Sequence, residues 1–199
     1  MTEISAKAVK ELRDRTGAGM MDCKRALQEA NGDVEKAIDG LRKSGIAKAE
    51  KKSSRDVKDG LVDAYIHPGG KLGVLIEVNC ETDFVAKTDD FKQFVRNLAM
   101  HIAATNPMAL TREEIDNSIV EKELEIYKEQ ALGSGKPEHI VDKIAQGRLG
   151  KFFAENVLME QAYVKDPDIS IKDLTTNTIT KLGENISIRR FSRFRIGDE

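Results

Sequence analysis

Apolar residues recur along residues 1 to 45 at three- and four-residue spacing, the mark of helices with one buried face. Met1-Thr2-Glu3-Ile4 opens an amphipathic helix that Ser5 can cap, with Ala8, Val9 and Leu12 on its inner side. Gly17-Ala18-Gly19 breaks it. A second helix turns Cys23, Ala26, Leu27 and Ala30 inward, and Asn31-Gly32 supplies a left-handed stop. Asp33 caps a third, with Val34, Ala37, Ile38 and Leu41 inward and Ser44-Gly45 as its end. Three helices in so few residues predict a small bundle with a thin core, similar in pattern to a ubiquitin-associated domain. Such a bundle suits a binding module better than an active site. Residues 46–57, polar and net basic from Lys48 to Asp56, read as a solvated linker.

From residue 58 the period changes. Val62, Ala64 and Ile66 alternate with Asp63 and Tyr65, predicting a half-buried strand with the apolar set inward. His67-Pro68-Gly69-Gly70 is a turn signal, and Leu72 to Val78 is a returning strand that reaches Asn79. Thr88 or Asp89 can start a helix bearing Phe91, Phe94, Val95, Leu98 and Ile102, stopped by Asn106-Pro107. Thr111 caps another with Ile115, Ile119, Leu124, Ile126 and Tyr127, ending near Gly133. Pro137 suits the first position of a long helical segment through Leu158, limited downstream by Pro167. Ser170 can cap a short helix to Leu182, and Gly183-Glu184-Asn185 turns into a last strand, Ile186 to Ile196. The inward parity of that strand slips at Phe191 and returns at Phe194 and Ile196, as a bulge near Arg189-Arg190 or apolar contacts on both faces would cause. The fold class is therefore α+β: a three-helix module over 1–45, and a core domain over 58–199 with helices on one side of a small antiparallel sheet.

Composition adds little to this except by exclusion. Charged residues are 33% and aromatics 5%, which suits a helix-rich protein with much solvated surface. A net charge of -2 argues against general nucleic-acid affinity. Arg189, Arg190, Arg193 and Arg195 give the last strand a basic face, read as a protein-binding or solvated edge. The N-terminus lacks the apolar region of a signal peptide, and no apolar run approaches the roughly 20 residues of a membrane span. Cys23 and Cys80 lie in unrelated segments and read as reduced thiols, so the chain is placed in the cytoplasm.

No stretch carries the chemistry of an enzyme. Gly133-Ser134-Gly135-Lys136 lacks the first glycine and the final hydroxyl of a phosphate loop. His67, His101 and His139 have no metal-ligand spacing, and no serine sits in a nucleophile elbow. A non-enzymatic protein without a cofactor is expected. What stands out is the junction Asn79-Cys80-Glu81-Thr82-Asp83-Phe84-Val85-Ala86-Lys87, where a strand turns into a helix capped by Thr82 or Asp83. Phe84 either staples the helix start or is presented outward for a partner. Met20 and Met21, side by side after a glycine turn, cannot both face the same thin core, so at least one is available to a partner groove.

Thr16-Gly17-Ala18-Gly19-Met20-Met21-Asp22-Cys23-Lys24 and Glu77-Val78-Asn79-Cys80-Glu81-Thr82-Asp83-Phe84-Val85-Ala86 are similar to two signatures of the elongation factor Ts family. Gly147-Arg148-Leu149 and Gly183-Glu184-Asn185-Ile186 also fit, so the chain resembles that family over nearly its whole length. The resemblance implies a guanine-nucleotide exchange factor for elongation factor Tu, promoting GDP release by disturbing Mg²⁺ and phosphate binding. It implies docking on the partner's GTPase domain through Arg13, Met20, Met21 and Lys24. It assigns the disturbance of the partner's Mg²⁺ to Thr82, Asp83, Phe84 and Val85. Against the longer members, the chain is expected to have one body subdomain and no inserted coiled coil. Short members tend to form homodimers; with no cysteine in the last strand, such a dimer would be non-covalent. The helical module alone also admits a different class, a peptide- or ubiquitin-fold-binding scaffold, in which residues 1–45 suffice for affinity and the Thr82 corner is dispensable.

Overall fold

The computed structural model describes residues 4–198; the opening Met1-Thr2-Glu3 of the expected first helix lies outside them. In chain order the elements are α1 (Ala6–Thr16), α2 (Met20–Glu29), α3 (Val34–Lys52), β1 (Asp59–Ile66), β2 (Leu72–Cys80), α4 (Asp83–Ala86), α5 (Asp89–Thr105), α6 (Asn117–Gly133), α7 (Glu138–Asn156), β3 (Ala162–Tyr163), β4 (Asp166–Ser170), α8 (Ile171–Leu182) and β5 (Ile186–Arg195). The fold is α+β with an N-terminal helical bundle. One sheet has the order β1-β2-β5 and a second pairs β3 with β4. The larger sheet is antiparallel throughout: His67 N–H donates to Leu72 O across the β1-β2 turn, and Ile196 N–H donates to Lys71 O where β5 passes the start of β2. The chain packs as two compact units. One comprises the residues up to Asp63 with Ile76–Asn97 and Asp173–Arg189; the other comprises Ala64–Leu75, Leu98–Lys172 and the residues from Arg190 on.

In the first unit, the caps expected for the bundle are in place. Ser5 Oγ accepts from Ala8 N–H, and Asp33 Oδ1 accepts from Lys36 N–H. Asn31 and Gly32 hold left-handed φ values of 52° and 87° between α2 and α3. Val9, Leu12, Ala18, Cys23, Ala26, Leu27 and Ala37 form the core, with Val34, Ile38 and Leu41 packed against it. The third helix does not stop at Ser44-Gly45. It continues to Lys52, so most of the stretch expected as a polar tether is helical. Gly45 is buried, and a Cβ there would lie 3.2 Å from Thr180 Oγ1 of α8. The glycine admits a neighbouring helix instead of ending its own. Arg42 and Asp173, 3.0 Å apart, tie the same two helices.

On β1 the covered face is the opposite of the one the apolar alternation predicts. Val62, Ala64 and Ile66 are exposed, whereas Asp63 and Tyr65 are half-buried. Alternation identifies two faces but not which one is covered; here the inward Asp63 meets Arg96 of α5 at 3.9 Å. On β2, Val74, Ile76, Val78 and Cys80 are buried and Leu75 is exposed. On β5, Ile186 and Ile188 are buried, Arg189 and Arg190 are both exposed, and the half-buried positions become Phe191 and Arg193. The parity therefore shifts, but Phe194 and Ile196 do not return inward; they are 72% and 74% exposed. Arg193 leaves the expected basic face, with only 10% of its side chain exposed beside Asp198.

In the second unit, Thr111 precedes only a single 3-10 turn, and Asp116 is the residue that caps α6. Instead of the expected absence of a coiled coil, α6 and α7 pair as an antiparallel helical hairpin. Leu149, Phe153 and Val157 pack with Ala109 and Ile115 at its base, joined by Leu124 and Tyr127. The helix expected to run through Leu158 ends at Asn156, and a small hairpin, β3-β4, holds Pro167 within its second strand. Pro167 limits nothing there because a two-stranded hairpin is all edge.

A buried polar network fastens that hairpin. His101 has no exposed surface; its Nε2 donates to Gln161 Oε1 at 2.9 Å, and its Nδ1 accepts from Val164 N–H at 3.2 Å. Both ring nitrogens are thus used by the neutral imidazole. Burial, which outweighs the Gln161 contact, pulls the pKa below the ordinary 6.5. An unfolded chain takes a proton here as the pH falls through about 6.5, whereas the folded chain stays neutral until a lower pH. Stability is therefore fully present above about pH 6.5 and declines on acidification, by at most about 1.4 kcal/mol per pH unit from this site. We expect the melting temperature to fall between pH 7 and 5.5, and the slope to flatten in His101→Gln whatever that variant's starting stability.

Candidate partner-binding site

The site is built where β2 runs out. Cys80 is the last strand residue, Thr82 is extended (φ -134°, ψ 155°), and one helical turn, α4, follows. Thr82 Oγ1 accepts from Val85 N–H at 3.5 Å, and Thr88 Oγ1 accepts from Phe91 N–H at 3.2 Å to start α5. Two caps six residues apart thus fold the chain into a corner. Ala86 faces in, Val85 is half-buried, and Phe84 is 80% exposed. Of the two alternatives, stapling and outward presentation, the structure holds the second. An aromatic ring left in water is binding energy in reserve, roughly 1.5–3 kcal/mol if a partner covers it. Asp83 is not free: its carboxylate accepts from Lys87 Nζ at 2.5 Å, which raises the lysine's pKa and keeps the ammonium charged.

The corner is gripped from across the sheet. Glu184 Oε2 accepts from Thr82 N–H at 3.0 Å and Oε1 accepts from Thr82 Oγ1 at 2.6 Å. Reciprocally, Glu81 Oε1 accepts from Asn185 N–H at 2.6 Å. That backbone donor, with Arg55 beside it, holds the Glu81 carboxyl below the usual range. Beneath, Cys80 is fully buried and its Sγ donates to Thr82 O at 3.2 Å. Burial, with the Glu184 charge adding to it, pushes this thiol up to about 11.

On the bundle, Met20 and Met21 begin α2 and are 45% and 73% exposed. Arg13, Met20 and Lys24 line one hollow of about 480 Å³, together with Ile4, Val9 and Lys10. Met21 is not part of that lining. So the four helical residues are brought to one end of the bundle, but only three share a hollow. Asp22, between them, accepts from Lys48 Nζ of α3 at 2.7 Å. Sequence reasoning read Gly183-Glu184-Asn185 as a turn and missed its grip on the corner. Glu184 and Thr82 are separated by 102 residues, and no local spacing signals such a pair.

Among the described residues no cluster of His, Cys, Asp and Glu could hold a metal ion, and no helix is long and apolar enough to cross a membrane. The helical module thus leaves methionines exposed, and the braced corner leaves an aromatic ring exposed. Comparison with known proteins supplies the class. The family model described as Elongation factor TS matches residues 6–198. The chain is 62% identical to elongation factor Ts of Thermoanaerobacter sp. (strain X514) over 195 residues, covering 98% of this chain and 96% of that protein. It is 57% identical over 198 residues to that of Desulfosudis oleivorans, covering all of both chains. The chain belongs to the elongation factor Ts family, a family of translation elongation.

The cap predicts its own perturbation. Thr82→Val keeps the shape but removes the acceptor for Val85 N–H and one donor to Glu184, and should cost about 1–2 kcal/mol in urea unfolding. Thr82→Ser should stay within about 0.5 kcal/mol of the parent.

Proposed function

We propose that this chain is a cytoplasmic guanine-nucleotide exchange factor that binds elongation factor Tu·GDP and promotes GDP release. The observation that carries the reading is Phe84, 80% exposed at the tip of a corner braced on both sides. A GTPase grips its nucleotide through backbone donors, a lysine and Mg²⁺. The ion is among the largest charges in such a site, so shifting its ligands weakens phosphate binding steeply. In this mechanism Arg13, Met20, Met21 and Lys24 dock on the GTPase domain, and the apolar methionines adapt to its surface. Docking sets the Thr82-Asp83-Phe84-Val85 corner beside the nucleotide. Phe84 wedges partner side chains away from the ion, Val85 backs it, and Asp83 brings negative charge and a competing acceptor near the phosphate side. Thr82 holds the turn. No covalent bond changes, so the chain is not an enzyme in its own right.

Energetics constrain the scheme. A rate gain of roughly a thousandfold needs the transition state for release to be held about 4 kcal/mol more tightly than the GDP-bound state. By linkage, GDP weakens this protein's hold on the partner by the same factor that the protein weakens GDP. Because the burial energy of the ring goes into displacing partner groups, Phe84→Ala should leave affinity for nucleotide-free elongation factor Tu within a few-fold and slow release of labelled GDP by roughly tenfold or more. Release at the wild-type rate would remove the wedge.

A second surface supports a non-covalent homodimer. Ala64, Ile66, Leu75, Phe194 and Ile196 line one apolar depression of about 380 Å³ on the open sheet, and Ile66, Phe194 and Ile196 are each more than half exposed. An apolar sheet face of this kind suits a second copy of itself across a two-fold axis. Sedimentation equilibrium should give twice the chain mass, and Phe194→Asp should give the monomer with an unchanged circular-dichroism spectrum.

A further inference from the structure

Where β2 ends and β5 begins, two backbone N–H groups lose their ladder partners. Each is taken by the carboxylate next to the other: Thr82 N–H by Glu184, and Asn185 N–H by Glu81. The turn also reaches the end of the docking module. Asn185, 7% exposed, donates through Nδ2 to Arg55 O at 2.9 Å and Ser53 O at 3.4 Å, just past α3. Lys52 Nζ, in the last turn of α3, donates to Gly183 O at 2.5 Å. One turn earlier, Lys48 holds Asp22 in the first turn of α2, beside Met20 and Met21. Hydrogen bonds at two points of α3 therefore tie the start of α2, which bears the exposed methionines, and the corner that bears the exposed phenylalanine to one helix, and the second point is met by the three consecutive residues Gly183, Glu184 and Asn185.

We propose that Gly183-Glu184-Asn185 is the positioning element of the exchange reaction, with Glu184 and Asn185 holding the end of α3 and the Thr82 corner in one fixed arrangement. The inference rests on the exchange reading above. Glu184 acts through Thr82. By accepting a hydrogen bond from the hydroxyl at 2.6 Å it turns the Thr82 lone pairs toward Val85 N–H, which fixes the rotor in its capping role. The capped helix is only four residues long and has no other turn to stiffen it. A wedge free to swing yields to the partner instead of displacing its groups, so preorganisation is worth rate rather than affinity. Asn185 acts on the other side, joining the corner's brace to the chain just past α3, the helix whose Lys48 holds Asp22 of the docking helix α2.

The test is GDP release from elongation factor Tu as a function of the concentration of this protein, for Glu184→Ala, Glu184→Gln, Phe84→Ala and the double variant Glu184→Ala/Phe84→Ala. Glu184→Ala should lower the maximal release rate roughly tenfold while the half-saturating concentration moves less than about threefold. Glu184→Gln keeps one acceptor, for Thr82 N–H, but its Nε2 can only donate to the hydroxyl, and it should recover only part of the rate. In the Phe84→Ala background, Glu184→Ala should have little further effect, because it works through the same ring. An unchanged maximal rate in Glu184→Ala, or an equal loss in both backgrounds, overturns the proposal. Should Glu184→Ala not fold, as judged by circular dichroism at the assay temperature, Glu184→Asp replaces it: the charge remains but the reach is lost, so release should be slow, and a wild-type rate overturns the proposal. The unaltered protein and Phe84→Ala separate the ideas. If the unaltered protein does not speed GDP release, the exchange reading fails; if Phe84→Ala is as fast as the parent, the wedge fails; if it is slow while Glu184→Ala is not, only the positioning role fails.

Discussion

Backbone donors at the end of a strand have to go somewhere, and in this protein that requirement shapes the functional surface. Past Cys80 the ladder is finished, yet the chain is too enclosed for water to serve Thr82 N–H or Asn185 N–H equally well. Two glutamates, Glu81 and Glu184, meet the need by crossing over, each serving the other's neighbour. A charged acceptor in a half-buried place forms short, directional bonds. The geometry that satisfies the backbone is the same geometry that points Phe84 outward. Stability of the junction and presentation of the ring are one constraint rather than two.

The remainder of the first unit delivers other elements to that junction. α3 outruns its expected end because Gly45 leaves room for Thr180 of α8. The extra turns bring Lys52 to Gly183 and Ser53 to Asn185. Gly60 allows the approach from the other side of β2: its φ is 151°, and a Cβ there would sit 2.3 Å from Val78 O. Small residues at these two points let a helix and a strand come close to the corner. The bundle is thereby connected to the body by packed helix rather than by a loose polar chain.

Much of this was legible locally. Ser5, Asp33, Thr82 and Thr88 cap as their positions suggest, Asn31-Gly32 and Gly183 turn as expected, and the buried faces of α1, α2 and α5 follow helical spacing. The failures share a cause. Which face of β1 is covered, whether Gly45 ends a helix or hosts another, and what Phe194 faces all depend on neighbours distant in the chain. The Asp166–Ser170 strand was hidden because Pro167 reads as punctuation unless its strand is an edge. The candidate site divides in the same way. The Met20-Met21 pair announced that at least one is exposed, since a thin core cannot hold both, whereas for Phe84 stapling and outward presentation were both open to local spacing. Glu184 and Asn185 carried no such signal, because a turn that braces a site looks like any other turn until its partners are known.

The sulfur under the corner has one more consequence. Cys80 is shut away and keeps its proton through the whole physiological range, with a pKa near 11. Oxidants and alkylating agents react with thiolates they can reach, and here they find neither access nor charge. Modification can proceed only in molecules whose strand end has come apart, so the rate of labelling at Cys80 is a clock for how often this corner breathes.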